Sequence, residues 1–290
     1  MHRFQQNTNR PEGQITRGKT APNRLRNVDH FLACYDPALL TRCDGPYRDA
    51  LYIDLGYGAE PATTLESATR LRLVNPDLKV LGVEIEPERV RRGLPYVDRQ
   101  TFFRLGGFNM PLQKHPNGKL ETVRLVRAFN VLRQYDESEA IPACNSIMHS
   151  VLPGGLFLDG TSDPFGRVWT GNLMRKTDPD WNLEALVLGA NLRLDFDADA
   201  FQTRLPKSFI HRMQPGEPIF NFMEDWKSAT RDTRSHSVWG PRDWFVAAGN
   251  MMVQKGYQIA RPGKWLRKGW LVWLNPDLGV DRESKSVAGT

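Results

Sequence analysis

The pattern of hydrophobic and polar positions predicts alternating strands and helices in the first half of the chain. Residues 51–55 form a short apolar run that stops at Gly56, as a buried parallel strand does where the chain leaves the sheet. A helix is predicted after Pro61, because proline suits the first helical position and an apolar stripe follows. Residues 79–85 then alternate back into a strand. This order of elements is typical of one nucleotide-binding half of an α/β sheet.

Further apolar segments predict the remaining elements. Strands are expected at 101–105, 122–132 and 156–160, and helices at 88–94, 137–151 and 241–256. Residues 257–260 and 269–274 flank a Pro-Gly turn and are predicted to form a closing antiparallel hairpin. The predicted fold is therefore α/β, with a Rossmann-like mixed sheet of seven strands that ends in this hairpin.

The domain organisation follows from where the pattern departs from this core. Residues 23–167 and 235–278 are predicted to form the core, and 168–234 an α+β insertion that covers the substrate side. Residues 1–22 and 279–290 are polar and have few large apolar residues, so they are expected to be disordered tails.

Composition narrows the class of protein. The chain has 290 residues, is 40% hydrophobic, and contains no apolar run of the roughly 18 to 20 residues that cross a bilayer. It also has no apolar signal region at its start, so we expect a cytoplasmic protein with no membrane partner. Three scattered cysteines with no CxxC pair give no reason to expect a metal site.

The net charge of +6 is concentrated near the N-terminus. Residues 1–28 carry six Arg or Lys against one Glu. This basic arm is a candidate contact for RNA, although Phe4 is the single aromatic residue there for stacking on a base.

The turn after the first strand is the main candidate for ligand binding. Its glycines, Gly56 and Gly58, allow positive φ and close approach of a ligand. A dinucleotide fingerprint needs a third glycine where this chain has Pro61, which counts against NAD. Asp54 suits a cationic cofactor such as S-adenosylmethionine, and Glu84 ends the second strand, where a carboxylate accepts hydrogen bonds from ribose hydroxyls.

On these residues the chain resembles the class I S-adenosylmethionine-dependent methyltransferases. Asp54, Gly56 and Gly58 match the first motif of that family, and Glu60 replaces the third glycine often found there. The resemblance implies S-adenosyl-L-methionine as cofactor, with Glu84 on its ribose. Where the family has an acid after the third strand, this chain has Phe108 and Asn109, which are expected to stack on adenine and hydrogen-bond to it. The flanking Tyr57 and Ile85 complete this part of the predicted cofactor site.

The fourth strand supplies further candidates. In the methyltransferase fold the loop after this strand lies beside the methyl group, which directs attention to Arg127 for the cofactor and Asn130 for catalysis. The segment RAFNVLRQY, residues 127–135, is similar to the corresponding segment of uncharacterised bacterial methyltransferases. It departs from the Asn-Pro-Pro-Tyr signature of enzymes that methylate amino groups of DNA bases and glutamine, which argues against those substrates.

Two more catalytic candidates are Asp163 and His211. Asp163 follows the fifth strand, near the sheet edge where ligands bind, although Asp-Pro is equally typical of a turn. His211 is a candidate proton acceptor because imidazole is the side chain best suited to that role near neutral pH, and it lies in a cationic loop that can bind a carboxylate or phosphate, although an ordinary solvated loop has the same composition. The basic residues of that loop are Arg204, Lys207 and Arg212.

The sequence thus predicts S-adenosylmethionine-dependent methyl transfer to an oxygen or nitrogen nucleophile of a small molecule, with an anionic molecule as one option. An RNA methyltransferase is the first alternative. The others are an NAD-dependent oxidoreductase and a catalytically silent S-adenosylmethionine-binding protein. The sequence leaves the oligomeric state open.

Overall fold

A computed structural model describes residues 10–16, 21–115, 118–193 and 195–276, with the side chain of Glu137 excepted. The predicted tail at 279–290 and parts of the tail at 1–22 lie outside these ranges. The strands are β1 (Leu51–Leu55), β2 (Val80–Glu84), β3 (Thr101–Leu105), β4 (Val123–Phe129), β5 (Val151–Ser162), β6 (Val168–Lys176), β7 (Trp181–Ala190) and β8 (Trp270–Leu274). The α-helices are α1 (Arg26–Tyr35), α2 (Pro37–Thr41), α3 (Ala62–Leu71), α4 (Pro87–Gly93), α5 (Glu137–His149), α6 (Asp199–Gln202), α7 (Lys207–Ile210), α8 (Pro218–Asp232), α9 (Pro241–Gln254) and α10 (Pro262–Trp265).

All eight strands form one mixed sheet in the order β3-β2-β1-β4-β5-β6-β7-β8. The first five strands in this order are parallel, and the last three continue the sheet in antiparallel fashion. β1 and β4 are neighbours although they are distant in sequence, so the chain reverses direction across the sheet between them. Ligands bind at the carboxyl ends of parallel strands next to such a reversal.

Helices cover both faces of the sheet. On one face α1, α3 and α10 pack against the strands, and the ring of Phe31 lies 5.5 Å from that of Trp169 and 5.5 Å from that of Trp270. On the other face α5, α8 and α9 form a larger apolar cluster, with Phe222 stacked on Trp273 at 4.3 Å. With both faces covered, the strands are buried along most of their length.

The predicted α/β fold with a Rossmann-like mixed sheet is confirmed, but the strand count of seven is wrong. Residues 168–190, expected in the insertion, form β6 and β7 of the central sheet. β6 is buried from Trp169 to Met174 and β7 from Ala185 to Ala190, as expected for strands with both faces covered.

The antiparallel end of the sheet also differs from the predicted hairpin. β8 pairs with β7, from Ala185 opposite Leu274 to Gly189 opposite Trp270. Residues 257–260 contribute one isolated bridge, between Ile259 and Trp273. The rest of the predicted insertion folds into the short helices α6 and α7 and the long helix α8. Its role in covering a substrate stays a prediction.

Candidate cofactor and substrate site

The glycine turn after β1 has the backbone geometry that its sequence predicts. Gly56 and Gly58 have φ of 68° and 95°. A Cβ added to Gly56 would lie 2.6 Å from Cγ2 of Val131, so a side chain here would collide with the loop after β4. The backbone N–H of Gly58 donates to Glu84 Oε2 at 2.9 Å and ties the turn to the end of β2.

Glu84 is buried at the carboxyl end of β2. Its Oε1 accepts a hydrogen bond from the N–H of Ile85 at 3.0 Å, and Arg89 Nη1 lies 3.6 Å from Oε2. Burial raises the pKa of Glu84, while the backbone hydrogen bonds and Arg89 act in the opposite direction. A carboxylate accepts about four hydrogen bonds, so these contacts leave acceptor capacity for a ligand.

Asp54 and Arg127 belong to a buried ionic network. Arg127 is fully buried, with Nη2 at 2.8 Å from Asp54 Oδ1 and Nη1 bonded to Asp29 Oδ1. Thr64 donates to Asp54 Oδ2 at 2.8 Å. Burial by itself would lower the pKa of Arg127, but the carboxylates of Asp54 and Asp29 outweigh it and raise that pKa. The side chain of Arg127 therefore lies beneath the glycine turn and is bound to these two acids.

The side chain of Tyr57 contacts α4 and β3. Its hydroxyl donates to the carbonyl of Arg89 at 3.1 Å, and its ring packs edge-on against Phe103. We infer that Tyr57 braces the turn against α4, with its backbone left for ligand contacts.

The crevice beside Glu84 is filled by residues 10–16, which we call the N-terminal strap. The carbonyl of Glu12 accepts the N–H of Phe108 at 2.9 Å, and the N–H of Gln14 donates to the hydroxyl of Tyr135. The guanidinium of Arg89 donates to Oγ1 and to the carbonyl of Thr16, at 3.1 and 2.9 Å. Part of the predicted disordered tail is thus placed against the sheet edge by backbone hydrogen bonds.

Asn109 and Phe108, both predicted to contact adenine, contact the strap. Asn109 Oδ1 accepts the N–H of Glu12 at 3.2 Å, and its Nδ2 donates to the carbonyl of Arg10 at 3.0 Å. A Cβ built on Gly13 would lie 3.6 Å from the ring of Phe108 and 3.5 Å from Cδ1 of Ile85. Gly13 therefore lies beside both apolar side chains, and all three residues line the same cavity.

Little free volume remains along this edge. The cavity under the strap, which Glu84, Ile85 and Phe108 help to line, has a volume of about 20 Å³. A second cavity of about 20 Å³ lies on the other side of Gly56 and is lined in part by Arg24 and Asn130. Sites for small organic ligands are usually about 300–1,000 Å³, so a ligand of nucleoside size does not fit here while the strap is in place.

The three catalytic candidates do not share one set of contacts. Asn130 has φ of 59° and accepts the N–H of Ser162 on Oδ1 at 3.3 Å. Asp163 closes the turn between β5 and β6, because its Oδ1 accepts the N–H groups of Arg167 and Val168 at 2.6 and 3.2 Å. His211 follows α7 and is exposed. The structure brings Asn130 and Asp163 together around Ser162, while His211 lies in a separate loop.

Several residues at this edge were missed by sequence reasoning. The two threonines after Pro61 carry a usable signal, because hydroxyls in the first turn of a helix can reach back to an acid at the end of the preceding strand. The position of Asp29 gives no such signal in the sequence, since Asp29 is 98 positions from its partner Arg127. The strap was missed because its contacts are made by backbone groups, which a polar sequence does not distinguish from solvated coil.

Within the described residues, no helix is long and apolar enough to cross a membrane. In the same part of the chain, no group of three or more His, Cys, Asp or Glu side chains is arranged to hold a metal ion.

Comparison with known proteins gives partial matches to solved structures. No protein-family model matches the chain, and no curated protein matches it. The magnesium protoporphyrin IX methyltransferase from Synechocystis PCC 6803 with bound S-adenosylhomocysteine is 15% identical, with a TM-score of 0.34 over 48% of this chain and 54% of that one. The plantazolicin methyltransferase BpumL is 8% identical, with a TM-score of 0.35 over 49% and 48%. The O-methyltransferase NcsB1 from neocarzinostatin biosynthesis is 18% identical, with a TM-score of 0.29 over 46% and 39%.

This chain therefore spans about half or less of the length of these solved chains. The fold is Rossmann-like. That statement rests on the strand order of this structure and on its parallel half.

Proposed function

We propose that this protein binds S-adenosylmethionine at the carboxyl edge of β1, β2 and β3 and transfers its methyl group to an oxygen or nitrogen of a small molecule. The observation that carries the proposal is the slot between Ile85 and Phe108, next to the buried carboxylate of Glu84. An apolar slot for a planar base beside an acceptor for ribose hydroxyls is what an adenosyl group needs.

The contacts of the strap indicate the size and polarity of a group that fits this slot. Gly13 lies beside both side chains, because a Cβ added to it would be 3.5 and 3.6 Å from them, and we propose that a flat ring takes its place when the strap moves. The N–H of Phe108 and the amide of Asn109 pair with peptide groups of the strap. Adenine presents the same kinds of donor and acceptor along its edge, so we propose that the strap and the cofactor compete for one site.

S-adenosylmethionine, when bound, supplies a methyl group on a sulfonium that is already electrophilic. The chain then needs mainly to hold the nucleophile in line and to exclude water. Asn130, fixed by Ser162 beside Gly56, is our candidate for orienting the acceptor. We propose that Asp163 positions the β5–β6 turn, and His211 remains a candidate proton acceptor from the loop after α7.

The arrangement of Asp54 disfavours a dinucleotide. In NAD-binding folds the pyrophosphate lies at the first helix N-terminus. Here the hydroxyls of Thr63 and Thr64 in the first turn of α3 are donated to Asp54, so they are not available to a pyrophosphate at this helix N-terminus.

A catalytically silent protein is the second candidate, and the filled crevice favours it. Calorimetric titration of S-adenosylhomocysteine and of NADH, followed by transfer of labelled methyl from S-adenosylmethionine to cell extract, separates the candidates. Our proposal expects binding of S-adenosylhomocysteine and label in the small-molecule fraction. Binding without any labelled product supports the silent protein, and tighter binding of NADH supports the oxidoreductase. Label in RNA, together with RNA binding that weakens steeply with salt, supports an RNA methyltransferase.

A further inference from the structure

Three arginines surround the carboxyl end of β5. Arg24 donates from Nε to Ser162 Oγ at 2.9 Å and from Nη2 to the carbonyl of Ser162 at 3.0 Å. Arg204 is held through its backbone, because its carbonyl accepts the hydroxyl of Thr170, which lies on β6 opposite Thr161. Arg133 lies in the short 3₁₀ turn directly after β4.

The sheet brings these three residues together from distant parts of the sequence. Asn130, three positions before Arg133, is bonded to the N–H of Ser162, the residue that also binds Arg24. The turn that holds Arg133 contacts both β5 and α7, and α7 begins three residues after Arg204. The charge of Arg204 lowers the pKa of both Arg24 and Arg133, next to the larger effect of burial.

Their positive charge is poorly compensated. Among the described residues, the carboxylate of Asp163 offsets part of the charge effect on Arg24, while burial and the charge of Arg204 act on Arg133. Nη1 of Arg133 is buried and has no hydrogen-bond partner among the described residues. A buried guanidinium nitrogen without an acceptor is costly, and such groups are normally paired.

We propose that Arg133 and Arg204, with Arg24 beside them, bind an oxyanion group, a carboxylate or a phosphate, on the methyl acceptor. This inference rests on the proposed function, since it assigns a class of substrate to the same edge of the sheet. Arginine suits the role because its planar donors match the paired oxygens of both anions. The group differs from the predicted cationic loop, in that it shares Arg204 but takes Arg133 from the 3₁₀ turn after β4 and Arg24 from the segment before α1.

The test measures anion binding to the full-length protein by calorimetry. Inorganic phosphate and malonate are titrated separately, with sodium chloride used to hold the ionic strength constant. Saturable binding is expected for at least one anion, and the anion that binds more tightly identifies the oxyanion class.

Arg204→Gln and Arg133→Gln are each expected to weaken the binding of that anion at least tenfold. Arg204→Lys is expected to weaken it less than Arg204→Gln does. Arg231→Gln, an exposed arginine in the last turn of α8, serves as the matched control and should change affinity less than twofold.

Three results would overturn the inference. They are the absence of saturable anion binding by the unmodified protein, an equal loss in Arg231→Gln, and a loss of S-adenosylhomocysteine binding in Arg204→Gln with anion binding intact. The last result would assign the arginines to the carboxylate of the cofactor. Titration with S-adenosylhomocysteine tests the proposed function separately, because anion binding can persist in a protein that does not bind S-adenosylhomocysteine.

Discussion

Arg127 shows how a single buried charge can hold the ligand-binding edge together. It lies between Asp29 on α1 and Asp54 at the end of β1, and all three side chains are almost fully buried. Asp29 also pairs with Arg70 Nη1 on α3 at 2.7 Å. The network therefore fixes α1, α3 and the glycine turn relative to the sheet.

Replacing Arg127 by Met should destabilise the protein by about 3–5 kcal/mol, because two buried carboxylates lose their shared partner. Urea denaturation followed by circular dichroism measures the change in the free energy of unfolding. Arg91→Met is the matched control, since the Arg91–Glu88 pair is largely exposed and should contribute little. Similar losses in the two variants would mean that the network is not important for stability.

Glu84 is the residue on which the cofactor assignment depends most. Glu84→Gln keeps the shape of the side chain but replaces one acceptor oxygen with a donor. We expect the affinity for S-adenosylhomocysteine to fall at least tenfold, about 1.4 kcal/mol, in calorimetry. Glu88→Gln, an exposed change in the following helix, should leave the affinity unchanged. An unaltered affinity in Glu84→Gln would remove Glu84 from the site.

Asp159 gives a pH-dependent prediction. Burial raises its pKa to about 7. Between about pH 4 and pH 7 the folded protein keeps a proton that the unfolded chain has already lost. This group therefore makes the free energy of unfolding fall as pH rises from about 4 through 7. Asn172 lies opposite Asp159 on β6, and its buried Oδ1 has no partner among the described residues, which suits a protonated neighbour.

Asp159→Asn should therefore gain stability relative to the unmodified protein between pH 5 and pH 8, by about 1 kcal/mol or more. Urea denaturation at the two pH values measures the gain. Asp77→Asn, an exposed change in the turn before β2, should show no such trend. A pH-independent difference between the unmodified protein and Asp159→Asn would show that Asp159 is ionised in the folded state.

Among the elements, the N-terminal strap has the clearest functional consequence. Gly13 has φ of 132°, and a Cβ there would lie 3.0 Å from the hydroxyl of Tyr135. Gly13→Val should loosen the strap, because a β-branched residue rarely adopts this conformation. If the strap competes with the cofactor, the affinity for S-adenosylhomocysteine should rise about fivefold or more.

The control for that experiment is Ile15→Ala, because the side chain of Ile15 is exposed within the same segment. Its affinity for S-adenosylhomocysteine should match that of the unmodified protein. Weaker binding in Gly13→Val would show instead that the strap helps to hold the ligand.

The elements that sequence reasoning predicted best are those whose pattern is set locally. β1, β2, β3 and the start of α3 were expected within a residue or so of their observed bounds, because each is an apolar run with a turn residue at its end. Residues 168–190, which form β6 and β7, were expected in an α+β insertion outside the central sheet. Pairing partners depend on contacts between distant residues, which a hydrophobic pattern does not specify.

At the scale of the whole molecule, the sequence predicted which residues lie at this edge of the sheet but not what fills the crevice there. The acid at the tip of β2 and the glycine turn follow from strand order and from a motif, and both lie at the edge where they were expected. Two features depend on three-dimensional packing. They are the occupation of the crevice by residues 10–16 and the clustering of Arg24, Arg133 and Arg204. No spacing in the sequence indicates either.

The most direct test of the proposed cofactor site is a crystal structure of the protein grown with saturating S-adenosylhomocysteine. We expect the adenine between Ile85 and Phe108, the ribose hydroxyls on the carboxylate of Glu84, and residues 10–16 moved out of the crevice. A structure in which the strap still fills the crevice at saturating ligand, or in which the ligand lies elsewhere, would contradict it.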